Sequence, residues 1–97
     1  MYKSVRASHI LVKTEEEAKK LLEEIQTGKS KFEDLAALES LCPSGARGGD
    51  LGFFTEGQMV KPFEEAAFSL KKGELSNPVQ TQFGWHLILL TDAEEWD

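Results

Sequence analysis

Only two stretches of this chain are apolar enough to be the buried strands of a small sheet, residues 5–12 and 84–91, and they lie near opposite ends of the sequence. A fold that uses both brings the two ends together, the first strand beside the last in the centre of the sheet. Each run contains one of the two histidines, His9 and His86. A buried imidazole finds hydrogen-bond partners or incurs a desolvation cost of a few kcal/mol, and rings on adjacent strands can bond to each other. On pattern alone, a pair that merely fixes sheet register and a pair at a functional site are equally good readings.

Between these runs the sequence is mostly helical. Thr14 with Glu17 forms a capping box, Ala18, Leu21, Leu22 and Ile25 share one face of the helix that follows, and Gly28 ends it. A second box, Ser30 with Glu33, opens a shorter helix expected to turn Phe32, Leu35, Ala36 and Leu38 inward. Residues 42–57, CPSGARGGDLGFFTEG, then hold five of the eight glycines and cannot be regular throughout. Within or beside them, Asp50–Phe54 reads as a short strand and Gln58–Val60 as one helical turn. Pro62 suits the first turn of a third helix with Phe63, Ala66, Ala67 and Leu70 on its apolar face, ending at Lys71-Lys72-Gly73. Residues 78–81 and 84–91 form a terminal hairpin. The order β, α, α, short β, α, β, β predicts an α+β domain whose helices cover a small, mainly antiparallel sheet.

The 97 residues make one domain, divided here into a folded part at 1–91 and a short acidic tail at 92–97 expected to be solvated. Eleven Lys and Arg against 17 Asp and Glu give −6, which argues against nucleic acid as a partner. Four of the carboxylates lie in the tail, so residues 1–91 carry only −2. No apolar run is long enough to cross a membrane, and the N-terminus lacks the pattern of a signal peptide. With a single cysteine, these features make the cytoplasm the default location, unless the chain is a domain of an exported foldase. One Cys and two scattered His give no metal-ligand spacing, and the glycines match no phosphate-binding loop, so neither metal nor cofactor is expected.

Cys42 stands at the mouth of the glycine-rich segment, as a small apolar filler or as a nucleophile served by a histidine. Pro43 after it offers no amide to an oxyanion, which weakens the second reading. Leu51, Phe54, Met59 and Phe63 cluster around the segment as core or as the lining of a small apolar pocket. The glycines would let another chain, such as a peptide, approach closely.

Three blocks, ASHILVKTEEEA, SLCPSGARGGDLGFFTEGQMVKPFEEAAFSLKKGELSNPV and QTQFGWHLILL, resemble in the same order the parvulin family of peptidyl-prolyl cis/trans isomerases, from about Val5 to Leu90. The resemblance implies a four-stranded, mainly antiparallel sheet surrounded by four helices in the order β-α3-β-α-β2. It implies that His9, Cys42, Thr81 and His86 join one hydrogen-bond network. It also places the substrate's proline ring against Leu51, Met59 and Phe63, with Phe54 and Gln58 in the groove and Phe83 at the rim. The implied activity is rotation of Xaa-Pro bonds in unfolded or flexible chains, by a monomer without cofactor. Family members directed at phosphorylated residues carry a basic cluster after the first strand, where this chain has Glu15-Glu16-Glu17, so unphosphorylated substrates with an apolar residue before the proline are expected. The main alternative is a noncatalytic peptide-binding or chaperone module, followed by a thiol hydrolase and then a purely structural domain.

Overall fold

The computed structural model describes residues 2–96. Strand β1 (Tyr2–Val12) lies beside β4 (Gly84–Glu95) with Leu11 opposite His86 and His9 opposite Ile88. β2 (Asp50–Phe54) extends the sheet beyond β1 and β3 (Val79–Thr81) beyond β4, giving the order β2-β1-β4-β3 with all three pairings antiparallel. The two apolar runs are thus the central strands.

Alternation along these strands divides the core in two. Ile10, Val12 and Leu87 face helices α1 (Glu15–Gln26) and α2 (Phe32–Glu39), where they pack with Leu21, Phe32 and Leu35. Val5, Ala7, Ile88 and Leu90 face α3 (Lys61–Ser69) and pack with Phe63, Ala67 and Leu70. The fourth helix implied by the resemblance is a single 3-10 turn at Pro43–Arg47.

The first capping box forms: Thr14 Oγ1 accepts from the Glu17 amide at 3.2 Å and donates to Glu17 Oε1 at 3.0 Å. The second does not. Ser30 Oγ donates instead to Glu24 Oε1 at 3.1 Å, and α2 begins after Lys31 with no side-chain cap. Leu38 is 79% exposed rather than inward, because at 100° per residue it lies about 120° from the face shared by Phe32, Leu35 and Ala36. Gln58–Val60 is not helical; the Gln58 side chain closes a turn by accepting from the Thr55 amide at 2.7 Å. α3 ends at Ser69, before the two lysines.

At its far end β4 runs through residues 92–95, expected as a solvated end; Glu94 faces Ser4 and Glu95 faces Tyr2. The register skips Thr91, whose hydroxyl donates to the Arg6 carbonyl at 3.0 Å, and this irregularity turns Leu90 and Ala93, an odd three positions apart, to the same core. The side chains of Asp92, Glu94 and Glu95 remain in water while their backbone continues the strand. Asp97 lies outside the described residues.

Candidate active site

His9 and His86 project from the central strands toward α3, and their Nδ1 atoms are 2.9 Å apart. Their planes are within 18° of parallel, and the edge-on ring of Phe63 contacts both, with centroids 5.5 Å from His9 and 5.2 Å from His86. The other nitrogen of His86 lies 2.7 Å from Thr81 Oγ1, which accepts from the Phe83 amide at 3.1 Å. β3 therefore supplies the end of a chain that runs Thr81, His86, His9. His9 Nε2 has no partner among the described residues and is sealed from solvent.

Burial pushes both imidazoles down to about 4, helped at His9 by the neighbouring His86, so both are neutral near pH 7. The contact between two Nδ1 atoms requires at least one neutral ring, since one must offer a lone pair to the other's hydrogen. The pair presents a polar wall without net charge.

The glycine-rich segment holds this wall in place. The Gly49 carbonyl accepts from the His9 amide at 2.9 Å, and Gly49 has φ +89 in a position where a Cβ would overlap the His9 carbonyl. The chain that needs this close approach is the protein's own β1. The β1–β2 register also shifts between Arg6 and Ser8, opposite Gly52 at φ +73. Leu51 and Phe54, three residues apart, consequently both pack on the α3 side.

Beside the histidines lies a cavity of about 470 Å³. Of the residues singled out in the sequence, His9, Cys42, Leu51, Gln58, Met59, Phe63, Phe83 and His86 line it. Thr81 stands behind His86 as its hydrogen-bond partner. Phe54 does not reach the cavity: it is 3% exposed and packs behind Phe63 and against Phe68, each centroid 6.1 Å away, because its place in β2 directs it into the core. Cys42 lines the cavity but stands outside the histidine chain, its Sγ accepting from the buried Ser44 hydroxyl at 3.2 Å. The sequence reading missed Leu11, Leu41, Pro43 and Val60, which complete the lining. Leu11 was discoverable, two residues after His9 and on the same side of β1. No lysine or arginine lines the cavity, and no group of three or more His, Cys, Asp or Glu among the described residues could hold a metal ion.

Residues 8–92 match the rotamase family described as the PPIC-type PPIase domain. The chain belongs to the parvulin family of peptidyl-prolyl cis/trans isomerases. The parvulin domain is 56% identical over 92 residues to the foldase protein PrsA 1 of Bacillus cereus, a match covering 94% of this chain and 32% of the relative. Its fold matches the crystal structure of the peptidylprolyl isomerase PrsA from Bacillus anthracis with a TM-score of 0.95 and 44% identity, over 99% of this chain and 44% of that one. NmPin, the parvulin of Nitrosopumilus maritimus, matches with a TM-score of 0.82 and 42% identity over 94% of this chain and 98% of its own. The domain thus spans about a third of the length of the PrsA relative and nearly all of NmPin.

Proposed function

We propose that this parvulin domain accelerates Xaa-Pro rotation by gripping the proline ring on Leu51, Met59 and Phe63 while the preceding carbonyl swings past the histidine wall. Rotation is opposed by roughly 18–20 kcal/mol, because it passes through a twisted amide that has lost its conjugation. No bond is cut. A rigid apolar grip on the ring favours the twisted geometry, and each tenfold of acceleration requires about 1.4 kcal/mol of preferential stabilisation. The observation that carries the reading is the single cavity joining an apolar floor to the neutral His9–His86 pair. Cys42 tunes the polarity of the cavity mouth: its sulfur accepts from Ser44 and has no histidine to take its proton, which disfavours covalent attack.

The substrates are unphosphorylated. A phosphate entering the cavity would meet no cation, and Glu15–Glu17 occupy the first turn of α1. The substrates are flexible, proline-containing protein chains, and the foldase names among the relatives support assistance to folding. The length of those relatives favours the second location considered from the sequence, within a longer foldase.

Exchange NMR on an Ala-Leu-Pro-Phe peptide tests this. Catalytic amounts of protein are expected to speed cis/trans exchange, and to speed it less for a phosphoserine-proline peptide. Binding without faster exchange would identify a peptide-binding module instead, and new termini a hydrolase.

A further inference from the structure

Gln58 and Met59 reach the cavity from a turn that belongs to neither strand nor helix, residues 55–60, between the end of β2 and the start of α3. The turn closes on itself: the Thr55 amide donates to Gln58 Oε1 at 2.7 Å, and the Gln58 amide donates to the Thr55 carbonyl at 3.4 Å. Between them Gly57 is exposed, with φ +90. These bonds shape the turn but do not fix it against the rest of the molecule.

A glutamate does that. Glu64, in the first turn of α3, accepts from the Gly57 amide through Oε1, the one side-chain hydrogen bond between this turn and α3 among the described residues. Its neighbour Phe63 lines the cavity, so the bond joins two of the elements that carry the apolar floor, the turn with Met59 and the helix with Phe63. Glu64 itself does not line the cavity. Met59 and Val60 also pack on the core that contains Phe63, so losing the bond loosens the turn without opening the fold.

We infer that Glu64 is a positioning residue for the isomerase: its bond to the Gly57 amide holds Met59 in place before a peptide arrives. The inference rests on the isomerase reading. A wall already in place loses little freedom on binding, whereas a loose one must be ordered by each substrate. That ordering costs the same in the bound ground state as in the twisted state, so loss of the bond raises KM and leaves kcat near its value. A merely structural glutamate would act otherwise, because its removal would lower the folded fraction, and with it the apparent kcat, at constant KM. Glu64 also places a negative charge near the N-terminus of α3, where it suits the helix dipole. Glutamine separates the two roles, since the charge goes and an acceptor oxygen stays.

The test is kcat and KM by exchange NMR over a range of Ala-Leu-Pro-Phe concentrations, for the wild type, Glu64→Ala, Glu64→Gln, Met59→Ala and the double variant of Met59→Ala with Glu64→Ala. Glu64 is not buried, so its variants are expected to fold, as amide spectra would verify. Glu64→Ala should raise KM about fivefold with kcat held within about twofold, and Glu64→Gln should bring KM back to within about twofold of the wild type. In the Met59→Ala background, adding Glu64→Ala should change kcat/KM by less than about twofold, because the side chain that the bond positions is already gone. An unchanged KM in Glu64→Ala, a defect that Glu64→Gln shares in full, or losses that multiply in the double variant would overturn the role of Glu64 while leaving the isomerase intact. No acceleration by folded wild type would remove the isomerase reading and the role of Glu64 with it.

Discussion

The two faces of one sheet behave differently. Toward α1 and α2, Ile10, Val12 and Leu87 meet a layer of aliphatic and aromatic side chains that closes over Ile10 and Leu87 and leaves only a smaller cavity of about 260 Å³ between the two helices at Val12. Toward α3, the residues one step along the same strands are His9, Leu11 and His86, and the packing opens into a cavity. The elements are shared, so strand identity does not separate scaffold from site. A single residue of register does, because neighbours on a strand point to opposite faces.

The strongest test of this contrast removes a side chain from the closed face. Ile10→Ala should cost about 2–5 kcal/mol in urea unfolding, since Ile10 is fully buried, and should lower activity only in proportion to the unfolded fraction. On the open face the expected effect reverses. Met59 is half-buried at the cavity wall, and Met59→Ala should lower kcat/KM about tenfold while changing stability by less than about 1.5 kcal/mol. Phe63 belongs to both regions, being 3% exposed and also lining the cavity, so Phe63→Ala is expected to lose activity and stability together.

Acid should also find the open face first. The folded histidines hold protons only near pH 4, whereas unfolded imidazoles take them up near 6.5. The unfolded state therefore gains protons first, and stability present above pH 6.5 is lost as the pH falls toward 4. Denaturation measured between pH 7 and 5, where ordinary carboxylates stay ionised, should show the decline; a flat profile would mean that the pair is as easily protonated folded as unfolded. The smallest effect is expected at Cys42. Cys42→Ser and Cys42→Asp should keep kcat/KM within about tenfold, whereas loss of a required nucleophile would cost about 10³-fold or more.

The sequence made the framework legible because apolar runs and alternation are strong, local signals. They placed β1 against β4 and put both histidines in the centre. What escaped depends on irregularities that alternation cannot express. Phe54 was expected in the groove from the resemblance, and alternation could not correct this because the shift near Gly52, which places Leu51 and Phe54 on one side, leaves no periodic trace. Residues 92–95 read as a loose end because Thr91 interrupts the pattern and the flanking carboxylates suggest solvent. Leu41 escaped because its position depends on a backbone bond to Leu11, thirty residues away in sequence. The Ser30 cap failed through competition: Glu24, on the preceding helix, took its hydroxyl.

The 2.9 Å contact between His9 and His86 joins residues separated by 77 positions in a chain of 97. Closing so long a loop is among the slower steps available to a small domain, and neither histidine has its partner until the last strand arrives. The proposed isomerase activity is therefore a readout of the completed chain: without β4, His9 lacks its His86 partner and the sheet lacks a central strand. A domain proposed to shorten other chains' waits at proline becomes competent only after its own first and last strands have paired.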